Sequence, residues 1–80
     1  MENYNLMGIK IGNRKTFAPD VQEVLTRYGS TIKMRIGLHE NENTNEGFII
    51  LNLLNDDNKI SALISELESI ETVRAKNIKL

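Results

Sequence analysis

Two apolar periods alternate along this 80-residue chain. In Asn5–Ile11 the period is two. Met7, Ile9 and Ile11 share one face and Leu6, Gly8 and Lys10 the other, as in a strand. Gly12, Asn13, Arg14 and Lys15 form a turn by composition. From Phe17 the period is 3.6, and Phe17, Val21, Val24, Leu25 and Tyr28 make one helical stripe. Thr16 is the expected N-cap of that helix. Pro19 is expected in its first turn, where a missing N–H has no intrahelical partner to lose. Asp20 and Glu23 then lie near the positive end of the helix dipole and Arg27 near the negative end. Gly29 is the expected left-handed residue that ends it.

Period two returns in residues 31–39. Ile32, Met34, Ile36 and Leu38 are expected to face the core, and Lys33, Arg35 and Gly37 the other way. A polar stretch, residues 40–45, leads to residues 46–54, the longest apolar run. Ile49, Leu51 and Leu53 point to one side and Phe48, Ile50 and Leu54 to the other, with Asn52 the lone polar intruder. A strand apolar on both faces belongs in the middle of a sheet. Residues 55–58 are polar; they stop that strand and cap a second helix, whose stripe is Ile60, Leu63, Ile64, Leu67 and Ile70. In the last strand, residues 72–80, the apolar parity changes between Ala75 and Ile78. A frayed end or a bulge near Asn77 is expected.

The order β-α-β-β-α-β, with right-handed crossovers, predicts one α+β domain spanning residues 1–80. Its fold is ferredoxin-like: a four-stranded antiparallel sheet of order 4-1-3-2 with two helices on one face. The other face is left uncovered. Its expected middle is apolar, with Leu6, Phe48, Ile50 and Leu54, and with Gly8 and Gly37 allowing close approach. Ile78 falls on the same parity, and Lys10, Lys33, Arg35, Arg74 and Lys76 form a basic margin. Burying one such apolar side chain fully contributes about 1.5–3 kcal/mol. A two-fold homodimer through this face is therefore expected. The competing reading is that the aliphatic stems of Lys10, Arg35 and Lys76 fold over the centre and keep the chain monomeric.

Composition removes several function classes. With 10 basic and 11 acidic residues the net charge is −1, unlike a general nucleic-acid binder. The chain has no cysteine, hence no disulfide framework, thiolate-held cluster or thiol nucleophile. No segment is apolar enough to span a membrane and the start lacks a signal-peptide pattern, so the cytoplasm is expected. His39 with Glu40, Glu42 and Glu46 offers nitrogen and oxygen ligands, but no second histidine or cysteine closes a metal site. Asp56 and Asp57 are better explained as caps than as paired catalytic carboxylates. Ser61, Ser65 and Ser69 lie beside no base. Residues 46–53 resemble the third-strand motif of RNA-recognition domains, but Ile50 stands where a stacking ring is needed. An acylphosphatase would need glycines around Arg14 to supply anion-binding amides, and these are missing. No catalytic residue, cofactor or metal is predicted.

Asn13, Arg14, Val21, Leu25, Gly29 and Ile32 follow the pattern of an ACT-type regulatory domain, in which a strand ends at an amide and an arginine before a helix. The glycine that usually follows the arginine is absent, with Lys15 and Thr16 in its place. Nearly the whole chain is similar to a small family of stand-alone ACT-like proteins, the iron-only hydrogenase system regulators. The shared residues are Asn13-Arg14, Ala18-Pro19, Val21-Gln22-Glu23, Leu25-Thr26, Tyr28-Gly29, Arg35-Ile36-Gly37 and Ile60-Ser61-Ala62-Leu63. Members resemble the ligand domain of the nickel-responsive repressor, whose several histidines and cysteine this chain lacks.

The resemblance implies a non-enzymatic regulatory module acting as a homo-oligomer, with a small-molecule effector at the subunit joint near Gly12, Asn13 and Arg14. The alternative is an adaptor or assembly protein that docks a protein partner through its sheet face or an edge strand. An enzyme using Arg14 on an anionic substrate comes third.

Overall fold

The apolar run of residues 46–54 lies where its composition asks, inside a sheet. In the computed structural model, which describes residues 4–38 and 45–80, β1 (Asn5–Ile11) and β2 (Ile32–Leu38) flank β3 (Gly47–Leu53), and β4 (Val73–Lys79) lies beyond β1. The order β2-β3-β1-β4 is the expected one read from the opposite edge, and each neighbouring pair is antiparallel. The crossovers are α1 (Arg14–Arg27) and α2 (Asp57–Glu68). No helix among the described residues is long and apolar enough to cross a membrane.

One face of the sheet is sealed. Met7 pairs with Leu51 and Ile9 with Ile49 across β1 and β3, while Ala75 and Val73 continue the layer on β4. Val21, Val24 and Leu25 of α1 and Ile60, Leu63 and Leu67 of α2 close over them in one buried cluster. Phe17, Tyr28, Ile64 and Ile70, the outer members of the two predicted stripes, are partly buried against it.

Both ends of α1 differ from the expectation. The helix begins at Arg14 with Asn13 as N-cap, because the amides of Thr16 and Phe17 already donate to the Asn13 carbonyl at 3.0 and 3.1 Å. Pro19 therefore sits inside the helix. Asp20 and Glu23 lie beyond the first turn, which holds no acidic residue. Gly29 does not adopt a left-handed conformation. The end is closed instead by tight bonds from Tyr28 N–H to Leu25 O and Gly29 N–H to Thr26 O, at 3.1 and 3.2 Å. At α2 the expected cap is present: the Asp56 carboxylate accepts from Lys59 N–H at 3.2 Å.

The bulge lies in β2, not β4. Ile32 pairs with Leu53 but Met34 pairs with Asn52, so β2 spends an extra residue, Lys33, on one step of β3. Side chains alternate strictly along a strand, so one inserted residue exchanges the faces of everything beyond it. Arg35 and Gly37 therefore share the helix-covered face with Leu51 and Ile49, while Met34, Ile36 and Leu38 join the open face beside Asn52, Ile50 and Phe48. This reverses the expected faces of all these β2 residues. The Arg35 guanidinium donates to the Gln22 side chain of α1, which ties β2 to the helix layer.

Strand β4 pairs with β1 without interruption from Val73 to Lys79. The parity change near Asn77 arises because a polar residue occupies a covered position. Asn77 donates its amide to Asn5 at 3.2 Å, and Asn5, 0% exposed, donates to Asn55 at 3.3 Å. This amide chain engages the side-chain nitrogens of Asn77 and Asn5 at the end of the core, which lets Asn77 replace an apolar residue there, although the buried Asn77 Oδ1 accepts no bond.

Deleting Lys33 should leave Ile32 opposite Leu53 and Met34 opposite Asn52, now without a bulge. The variant is expected to melt cooperatively, with a change on the order of 1 kcal/mol or about 4–8 °C in Tm. A regularly alternating β2 would instead have its faces inverted by the deletion and would lose the fold.

A second expectation concerns Tyr28, whose hydroxyl donates to the Glu66 carboxylate. That bond, partial burial and the negative charge of Glu66 raise the phenol pKa above 10.0, opposed by Arg27. The folded state holds this proton more tightly than the unfolded chain. The resulting stabilisation is complete below about pH 10 and is lost as pH rises through the raised value. In urea melts at pH 8 and pH 11, Tyr28→Phe should lose less stability over that interval than the wild type.

Candidate functional site

Where β1 ends and α1 begins, the predicted Gly12-Asn13-Arg14 site forms a corner with the ends of two other strands. Left-handed backbone at non-glycine residues occurs, among the described residues, at Asn13, Asn45 and Thr72, with φ of 50, 52 and 69°. Asn13 and Asn45 face each other here, and Thr72 packs against Gly12. Thr72 is the unusual one, since a β-branched side chain disfavours this conformation. It is held by a reciprocal pair of bonds: Gly12 N–H donates to Thr72 O at 3.1 Å, and Thr72 Oγ1 donates to Gly12 O at 2.6 Å. A Cβ on Gly12 would lie 3.1 Å from the Thr72 Cβ, so a side chain there would make Thr72 give by a few tenths of an ångström.

Asn45 closes the corner. Its carbonyl accepts from Arg14 N–H at 2.8 Å and its amide oxygen from Lys15 N–H at 3.2 Å. Its amide nitrogen donates to the Asn13 side chain at 3.0 Å. These are the orphan donors that a helix start offers to anions. Here the chain fills that role itself, so a ligand carboxylate can reach the amides of Arg14 and Lys15 only by displacing Asn45. The Arg14 stem lies over Gly47, where a Cβ would come within 3.1 Å of its Cδ. Of the metal-ligand candidates, His39, Glu40 and Glu42 lie outside the described residues. Glu46 pairs with Lys10 at 3.3 Å, and no cluster of metal-ligating side chains occurs among the described residues.

The uncovered sheet face is the larger surface. Register arranges its side chains in rows running from β2 to β4: Leu38, Phe48, Lys10, Arg74; then Ile36, Ile50, Gly8, Lys76; then Met34, Asn52, Leu6, Ile78. The β2 side is apolar and the β4 side is largely basic. Met34, Ile36, Leu38 and Ile50 are 46, 44, 42 and 38% exposed. The predicted members Leu6, Gly8, Phe48 and Ile50 are on this face, and Leu54, just past the end of β3, is exposed as well. Gly37 is not on it. Met34, Ile36 and Leu38, which sequence reasoning placed in the core, are. Only the pairing of β2 with β3 identifies them, because their alternation is the same with either face buried.

The profile of the TM1266-like family, described as "Iron-only hydrogenase system regulator, putative", matches residues 3–77. The chain belongs to this family. Among solved structures, it is similar to protein TM1266 from Thermotoga maritima, with a TM-score of 0.87, 29% identity and 99% of each chain covered. The ACT domain of GTP pyrophosphokinase from Chlorobium tepidum superposes with a TM-score of 0.70 at 12% identity, over 100% of this chain and 89% of that one. CPII, a nitrogen regulatory PII-like protein from Thiomonas intermedia K12, gives a TM-score of 0.62 at 12% identity, over 98% and 92%. The latter two likenesses show the fold alone. No curated protein matches at a significant level.

In this chain the start of α1 is held through Asn45, and the strength of that hold is measurable. Asn45→Gly keeps the left-handed backbone and the carbonyl acceptor but removes the amide side chain. The loss is expected to be about 0.5–1.5 kcal/mol for each of the two side-chain hydrogen bonds removed, read from chemical denaturation.

Proposed function

We propose that this TM1266-like protein is a non-enzymatic regulatory module of an iron-only hydrogenase system, working in the cytoplasm as a homodimer joined through the open sheet face. The family match and the ACT-like fold support the regulatory reading. The observation that carries the dimer is the band of Met34, Ile36, Leu38 and Ile50, each more than a third exposed on one face. Fully burying such a side chain contributes about 1.5–3 kcal/mol. Completing four half-finished burials is a large term beside a domain stability of about 5–15 kcal/mol. Two copies related by a two-fold axis over β2 and β3 cover each other's band and keep the basic β4 sides apart. A small effector at the joint shifts such an equilibrium only by binding one assembly state more tightly than the other.

A protein-docking adaptor is the second reading, and one edge of the sheet favours it. At the β4 edge the Glu68 carboxylate accepts from Ala75 N–H at 3.2 Å. No corresponding side-chain cap is present along β2 among the described residues, which leaves that edge available for strand addition.

Native mass spectrometry and sedimentation at micromolar concentration should find a dimer. Ile36→Asp and Ile50→Asp each place a carboxylate in the joint and should yield a folded monomer. A wild-type monomer, or a dimer indifferent to both substitutions, would remove the sheet face from consideration.

A further inference from the structure

We propose that the open face also holds the effector itself, in a hollow suited to a small amphipathic anion: an acyl or aryl body ending in a carboxylate or phosphate. This deepens the regulatory reading above by naming the ligand class, and it rests on that reading for its consequence though not for its geometry.

The hollow has a volume of about 530 Å³, within the range of small-molecule sites. Its floor is made by Gly8, where an added Cβ would meet no atom within 4 Å. Nothing packs into the space that the glycine leaves, so no neighbouring side chain requires a glycine there. On the β3 side the walls are Phe48 and Ile50, and on the β1 and β4 side they are Lys10, Arg74 and Lys76, with Glu68 of α2 at the β4 margin, its carboxylate accepting from Ala75 N–H at 3.2 Å. An apolar wall and a cationic wall separated by one glycine strand match a molecule with one greasy and one anionic end.

The cations are not explained by the fold. Lys10 stands directly opposite Arg74 in the register, and Lys76 is opposite Gly8 one row away. Like charges opposed across strands destabilise a sheet. Lys10 has Glu46 as a partner, but no ion pair to Arg74 or Lys76 occurs among the described residues. A carboxylate or phosphate seated over Gly8 relieves this repulsion with charge-assisted bonds. A second copy of the chain cannot supply that relief with the same surface, because two-fold symmetry would set a second Lys10, Arg74 and Lys76 against the first. The copy therefore belongs over β2 and β3 and the anionic head over β1 and β4, with the ligand's apolar body against Phe48 and Ile50 at the boundary between them. By cancelling the charge beside the joint, the bound anion favours the dimer.

The test is titration of the intact protein, followed by calorimetry and amide chemical shifts, with octanoate, octyl phosphate, octanol, acetate and inorganic phosphate. At least one of octanoate and octyl phosphate should bind about tenfold or more tighter than octanol, and acetate and phosphate should not bind detectably. Which of the two binds more tightly identifies the head group. Gly8→Val fills the hollow with a strand-compatible side chain and should abolish binding with the fold intact. The double reversal Arg74→Glu, Lys76→Glu should abolish it with the hollow open. Equal affinity for octanol and octanoate, unchanged binding by Gly8→Val, or unchanged binding by the double reversal would overturn the assignment. The underlying dimer is judged separately. A wild-type dimer that binds none of these probes sinks the ligand site alone, whereas a wild-type monomer that binds octanoate supports the site and sinks the dimer.

Discussion

A four-stranded sheet has two faces, and here two helices cover one of them. Everything that distinguishes this chain follows from how its apolar residues are divided between those faces. Strand β3 is apolar on both sides, so whichever side the helices take, Phe48 and Ile50 or their opposites remain outside. The helices seal Ile49, Leu51 and Leu53 together with β1, to 7% exposure or less. The remainder is a surface that water wets poorly, on a molecule too small to hide it.

The bulge at Lys33 sharpens this imbalance. It removes Arg35 and Gly37 from the open face and brings Met34, Ile36 and Leu38 to it. The change adds apolar area to the exposed side and takes it from the covered side, where Ile32 alone of the β2 apolar residues lies before the bulge and stays packed against the core. On the covered side Arg35 finds Gln22 of α1 at the sheet margin, where a long cationic side chain can keep contact with water. An edge strand tolerates this more readily than a central one, since only one neighbour must accommodate the extra residue.

At the opposite extreme of polarity, the Gly12-Asn13-Arg14 corner is internally complete. Asn45 supplies two acceptors to the first amides of α1 and a donor to Asn13, and Thr72 is held in a left-handed conformation against Gly12. Strained backbone of this kind persists only where its surroundings over-determine it, and here strand ends and a helix start converge. Through these bonds the corner fastens α1 to the start of β3. The open sheet face, with an apolar side and a cationic side, is the surface whose demands are left unmet.

Most of the fold was legible in the sequence because it rests on local rules. The two helical stripes predicted the buried sets Val21, Val24, Leu25 and Ile60, Leu63, Leu67. The doubly apolar residues 46–54 predicted a central strand, and the element order predicted the sheet order. The start of α1 was misplaced because a distant residue takes part in it: Thr16 looked like a cap from its neighbours, but Asn45 donates and accepts from across the fold to hold the start at Asn13. The face of Met34, Ile36 and Leu38 was beyond local reading altogether. Alternation shows that these residues share a side, but which side is fixed by hydrogen-bond register to another strand. A single unpaired residue in that register, Lys33, reversed the answer. The sequence by itself thus determined which residues travel together, through the periods of helix and strand. The tertiary pairing alone decided which way they point, because the choice of face is made between strands and not along one.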